Sequence, residues 1–236
     1  MKLDGARVLV AGATGTLGGA LVAELADRGA RLTLAGRDPV RLVRAARAYP
    51  GTPAVVFDAY DPDSCARAVH GAAAGMGGLD AVVTAFGTVA FGPAAEVGDE
   101  IAEHLVAVNV LAPAAFFRAA LTVMEPGSTI AAFTGVVAQR PQPGMADYSA
   151  SKAALSAWLA AARREAGAHG IHVLDICPGH LETGFADRAV AGTAPPTPPG
   201  GDPLRVVAAV ADAMEADAEL LRSAADGTPV VERRAR

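Results

Sequence analysis

The chain has 236 residues, a length that suits one α/β domain. Hydrophobic residues make up 52% and charged residues 19%, which excludes a disordered chain and leaves enough apolar material to cover a sheet on both faces. A formal charge of −5 with a pI near 5.5 excludes the basic surface that a nucleic-acid binder needs to displace counterions from phosphates.

Met1-Lys2-Leu3-Asp4-Gly5 runs directly into an apolar segment and has no signal-peptide layout. A cytoplasmic location is therefore expected. The first predicted strand, Arg7–Ala11, ends in a turn holding Gly12, Thr14, Gly15, Thr16, Leu17 and Gly18, and a helix over Leu17–Arg28 follows. The glycines are spaced GxxGxxG. Such a turn needs residues without side chains where it tightens, where backbone nears a pyrophosphate, and where helix meets strand. The helix N-terminus then offers unpaired N–H groups and partial positive charge to the phosphates.

The second strand, Arg31–Ala35, leads into Gly36-Arg37-Asp38. A site for NAD(H) asks for a carboxylate here to hold the ribose 2′-hydroxyl. Glycine stands at 36 instead, and Arg37 is placed to pair with a 2′-phosphate through its planar donors. NADP(H) is thus favoured over NAD(H), with Asp38 capping the next helix.

Further strands are predicted over Ala54–Asp58, Ala81–Ala85, Thr129–Phe133 and His172–Cys177. They are apolar almost throughout, as strands buried on both faces should be. Helices are predicted over Pro39–Ala48, Pro62–Ala74, Asp99–Val123, Tyr148–Ala166 and Pro203–Ala216. The alternation predicts a single Rossmann-like domain over 1–236, a doubly wound parallel sheet with helices on both faces.

Residues 192–203 are rich in proline and glycine and are expected to form a loop, either a lid over a pocket or a connector. The tail from 218 to 236 is weakly specified. Cys65 and Cys177 read as reduced thiols, and the two Cys and five His show no metal-ligand spacing. No run of 18 apolar residues lacks a charge or a helix breaker, so no membrane span is expected.

Tyr148-Ser149-Ala150-Ser151-Lys152 carries YxxxK. With Gly12–Gly18, Asp58-Ala59, Asn109 and Pro178-Gly179-His180-Leu181-Glu182-Thr183 in this order, residues 5 to 217 resemble the short-chain dehydrogenase/reductase family. Residues four apart on a helix share a face, so Lys152 lies beside Tyr148. A nearby ammonium is expected to lower the phenol below its usual value. The resemblance implies that Tyr148 gives a proton to a carbonyl oxygen as hydride leaves the nicotinamide. It implies that Lys152 holds the nicotinamide ribose and that Asn109 helps hold a water linking the lysine to solvent. It gives Asp58 and Ala59 to the adenine, Ala85, Phe86 and Gly87 to the turn behind the adenine ribose, and Thr183 to the carboxamide. Pro178, Gly179 and Leu181 complete the implied cofactor contacts.

One departure stands out. The family carries a serine thirteen residues before the tyrosine, to orient the substrate carbonyl, and this chain has Gly135. Losing such a donor from a preorganised site costs on the order of 10²–10³ in rate. Three readings stay open. Thr134, Gln139 or the substrate replaces the serine, with His180 as a further donor; or the glycine serves imine reduction or a non-redox step; or the protein binds the cofactor without catalysis. The first is favoured, as an NADPH-dependent reductase or alcohol dehydrogenase for a small, mainly apolar molecule. Arg140 and Arg188 are the charges near its pocket. The seventh strand of the family is stunted or missing on this reading, and a homo-oligomer, a dimer, is expected through the Ala-rich faces of Ala112–Ala120 and Ala153–Ala162.

Overall fold

A computed structural model of the chain describes residues 1–196, 199–224 and 227–233. The elements run β1 (Arg7–Ala11), α1 (Thr16–Asp27), β2 (Arg31–Gly36), α2 (Pro39–Ala46), β3 (Ala54–Val56), α3 (Pro62–Met76), β4 (Ala81–Thr84) and α4 (Asp99–Val106). A π-helical turn (Ala107–Leu111) leads into α5 (Ala112–Leu121), followed by β5 (Thr129–Phe133), α6 (Ala146–Gly167), β6 (His172–Cys177), α7 (Pro203–Glu215), β7 (Leu220–Ser223) and β8 (Pro229–Glu232). Three helices begin on the same Asp-Pro device. The side chains of Asp38, Asp61 and Asp202 cap α2, α3 and α7, and the proline that follows each cap needs no hydrogen-bond partner. Each cap contributes about 1 kcal/mol.

The strands form one sheet in the order β3-β2-β1-β4-β5-β6-β7-β8. The first seven are parallel, and β8 pairs antiparallel with β7. Alternate residues of a strand face opposite sides, and this splits the core in two. Val8 and Val10 pack with Leu21, Leu25, Val206 and Val210 of α1 and α7. Leu9 and Ala11 face the other layer, where Val69, Phe116, Phe117 and Leu155 of α3, α5 and α6 meet them. Strand order reverses between β1 and β4, the crevice where ligands bind in sheets of this kind.

The structure corrects several expectations. A seventh strand exists, four residues long, and an eighth follows it, so much of the segment from 218 onward is built into the sheet. The helix expected over Asp99–Val123 is broken at Ala107–Leu111 by the wider turn. β3 and β4 stop at Val56 and Thr84, short of the expected Asp58 and Ala85, which frees those residues for loops. Asp99–Leu121 is long and apolar enough to cross a membrane by length and composition, but 56% of its apolar window is buried in the fold, as in a core helix.

The proline-rich loop crosses the end of the sheet, with Thr197 and Pro198 outside the described residues. At one end Val190 N–H donates to Val89 O and Phe91 N–H to Ala191 O. At the other, Gly201 N–H donates to His180 O and Glu182 N–H to Gly201 O. The loop is thus stitched both to the turn after β4 and to the turn after β6.

Candidate active site

The glycine turn sits at the switch point because only glycine fits there. Gly12 has φ +89°, and a Cβ on it would lie 2.7 Å from the Ala85 backbone. A Cβ on Gly18 would lie 2.1 Å from Gly12 O. These contacts bring the ends of β1 and β4 together with the start of α1. Gly15 precedes α1 without a side-chain cap, so the first-turn N–H groups and the positive helix end remain for an anion. This cradle fits the pyrophosphate of a dinucleotide. Thr16 Oγ1 donates to Thr183 O at 3.1 Å, joining the turn to the segment after β6.

Arg37 is exposed just beyond β2. One helical turn on, Arg41 donates from Nη2 to Thr14 O at 2.7 Å and lies over the glycine turn. Arg41 was not singled out by the sequence, although its spacing from Arg37 was a signal. On the adenine side, Asp58 accepts from Tyr60 N–H at Oδ1 (2.9 Å) and is exposed. Ala59 packs on the core layer of α3 and α5, as does Phe86, whose ring is 5.0 Å from Phe57.

Asn109 lies in the π turn and is fully buried. Its Oδ1 accepts from Thr88 N–H (2.9 Å), while Nδ2 donates to Thr88 O (2.9 Å) and to Ser151 Oγ (3.0 Å). Ser151 Oγ in turn donates to Tyr148 O at 2.8 Å. Gly87 completes the convergence, since a Cβ there would lie 3.0 Å from Asn109 Oδ1 and 3.2 Å from Lys152 Nζ. The sequence pointed to Asn109 but not to Thr88 or Ser151, the groups that hold it.

Lys152 is 5% exposed, and its Nζ donates to Phe133 O at 3.0 Å. Burial pulls its ammonium down to about 8, against the opposing pull of Asp175 and then Cys177. Tyr148 is partly exposed by its own surface, its ring 6.3 Å from Phe185. Burial of the phenol pushes it well above the usual range, the direction opposite to the expected lowering. The ammonium directs one of its three N–H donors to the Phe133 carbonyl, and desolvation is the cause of the phenol's shift.

The Gly135 departure also resolves in part. Thr134 is 2% exposed, and its Oγ1 donates to Asp175 Oδ1 at 2.5 Å, beside Cys177 Sγ at 3.2 Å. The hydroxyl is thus turned toward Asp175 of the neighbouring strand β6, on the side of the sheet that α6 covers. This removes Thr134 as the substitute for the serine hydroxyl. Gly135 itself has φ +97°, and a Cβ on it would meet nothing nearer than Pro178 O at 3.9 Å. Val136 N–H donates to Pro178 O at 2.8 Å, and Gly179 N–H to Ser223 Oγ at 2.9 Å. Ser223 of β7 thereby fixes the turn that contains Pro178 and Gly179. Leu181 pairs with Gly201 across the loop, and Gln139 lies in the turn that begins at Val136.

A cavity of about 540 Å³ opens between the turn after β4 and the proline-rich loop, lined by Phe91, Val97, Ile101, Glu96, Glu100 and Gly192. Tyr148 and Lys152 do not line it. Among the described residues no cluster of His, Cys, Asp and Glu is arranged to hold a metal.

The short chain dehydrogenase family model matches residues 6–193. Gluconate 5-dehydrogenase of Gluconobacter oxydans is 29% identical over 196 residues, covering 80% of this chain and 77% of that protein. A short chain dehydrogenase from Burkholderia cenocepacia, solved in complex with NADP, superposes with a TM-score of 0.79 at 27% identity, over 91% of this chain and 92% of that one. A Burkholderia phymatum short chain dehydrogenase/reductase in complex with NAD has a TM-score of 0.84 at 20% identity, over 94% and 90%, and shares the fold. The chain belongs to the short chain dehydrogenase family and is an NAD(P)-dependent oxidoreductase.

Proposed function

We propose that the chain is an NADPH-dependent reductase of a small, mainly apolar carbonyl compound, with Tyr148 as proton donor. The observation that carries this reading is the convergence of Lys152, Asn109 and Gly87 at the crevice end of β4 and β5, with Tyr148 one helical turn before Lys152 on α6. When bound, the nicotinamide supplies the hydride. Tyr148 hydrogen-bonds the carbonyl oxygen and gives up its proton as charge develops there. Lys152 holds the nicotinamide ribose, and Asn109 keeps the Gly87-Thr88 turn against α6. Arg37 and Arg41 together offer two guanidinium forks to a 2′-phosphate, which supports NADP(H) over NAD(H). The chain works on a small-molecule substrate in the cytoplasm, without nucleic acid or membrane, and the proline-rich loop acts as a lid.

A second reading draws on Gly135. The space a serine would fill is open, which suits a substrate whose reaction needs less carbonyl polarisation, such as imine reduction or a non-redox step.

Titration with NADPH and NADH, followed by absorbance at the nicotinamide band against ketones, quinones and imines, tests the main reading. Arg37→Ala should weaken NADPH about 10- to 100-fold, the worth of one charge-assisted hydrogen bond, and spare NADH. Equal weakening of both would remove the 2′-phosphate role. Tyr148→Phe should lower kcat by about 10²–10⁴ with NADPH affinity kept, and full turnover in that variant would refute the donor role.

Gly135→Ser should cost roughly 1–3 kcal/mol of stability, because the position has φ +97°, and should not raise turnover. A variant that is as stable and more active would mean that a serine fits the site as it stands. The alanines expected on α5 are buried in the core, so the dimer rests on the exposed Ala154, Ala157, Ala160 and Ala161 of α6 and on Leu111, 48% exposed before α5. Light scattering should give twice the 23.7 kDa chain mass, and a mass of one or four chains would refute it.

A further inference from the structure

β6 runs past the reacting side chains, and its Asp175 is 4% exposed. Both carboxylate oxygens accept from hydroxyls: Thr134 Oγ1 donates to Oδ1 and Ser156 Oγ to Oδ2, each at 2.5 Å. Thr134 immediately precedes Gly135. Ser156 lies one turn beyond Lys152 on α6, so the two share the helix face that packs on β6. The carboxylate therefore joins the end of β5 and the lysine-bearing face of α6 to the central strand.

An unpaired buried charge is costly. Two hydroxyls satisfy lone pairs but leave the charge, and a neutral amide or hydroxyl at 175 would accept from them as well. The packing thus asks for an acceptor here, not for a charge. We propose that Asp175 is a positioning residue whose negative charge, set across the β6–α6 layer, keeps Lys152 in the ammonium form that binds the cofactor ribose. This role rests on the oxidoreductase reading above.

The electrostatics agree in direction. Desolvation lowers Lys152 to about 8, and Asp175 is the largest influence opposing it, ahead of Cys177. Among the described residues, no other element brings a charge to the ammonium. β5 presents the Phe133 carbonyl, the π turn and the turn after β4 present Asn109 and Gly87, and α6 itself carries Tyr148 one turn away. His104 of α4 is directed to Thr88 and Tyr60.

A lysine is charged below its titration point, so NADPH affinity should be full at low pH and fall as pH rises through about 8. Removing an opposite charge nearby shifts that point to acid by about one unit or more. The experiment is NADPH fluorescence titration from pH 6 to 9.5 on the wild-type chain and on Asp175→Asn. Titration of the 2′-phosphate is common to both proteins and cancels. The expected result is an acid shift of the midpoint by about one unit or more, with affinity nearly matched at the low end and about half lost or more at pH 7. Coincident midpoints, or a loss equal at every pH, would overturn the proposal, as would a wild-type affinity independent of pH. If Asp175→Asn does not fold, Asp175→Ser keeps an acceptor for both hydroxyls and is read in the same way. Failure of both to fold overturns it too, because the charge is then a folding requirement. Absence of NADPH binding by the wild-type chain would instead sink the oxidoreductase reading.

Discussion

The Asn109 side chain has no exposed surface and makes three hydrogen bonds, two to the Thr88 backbone and one to Ser151. An amide buried without partners costs about 1–3 kcal/mol per group, so this site forms only when the turn after β4, the π turn and α6 are in register. The catalytic arrangement depends on that closure. Ser151 carries the constraint on to the Tyr148 carbonyl, and Gly87 lets Asn109 and the lysine approach one turn of backbone together. Truncating the amide would loosen three elements at once.

The π turn explains why a helix is interrupted in the middle of a buried layer. Placing Asn109 toward Thr88 while Phe116 and Phe117 stay in the core requires an extra residue in the helical path. Sequence periodicity does not report this, because an apolar run reads the same whether its bonds span four residues or five. The parallel strands, the glycine turn and the tyrosine–lysine pair were legible, since each needs a residue type at a fixed spacing. β7 and β8 were not. In Leu220–Ser223 only Leu221 is fully buried, and Arg222 pairs with Glu232 on the next strand, so the segment reads as polar tail until its partner is known.

The direction of Thr134 was hidden for a related reason. Its place beside Gly135 suggested a hydroxyl near the substrate, but its acceptor is Asp175, which is 41 residues away in sequence and adjacent only across the β5–β6 pairing. Arg41 shows the same limit. Its contact with Thr14 depends on how α2 returns over the glycine turn, which composition does not encode.

Burial moves the two ionisable groups of the YxxxK pair toward neutrality, raising the phenol and lowering the ammonium. Desolvation is thus the largest influence on both groups. At φ +97° the backbone of Gly135 turns so that Val136 N–H reaches Pro178 O, while Thr134 is drawn to Asp175. Gly135 is therefore more than a side chain deleted from an otherwise ordinary strand end. The backbone there is committed to holding β5 and β6 together, through Thr134 and Gly135 N–H on Ile176 O and Val136 N–H on Pro178 O.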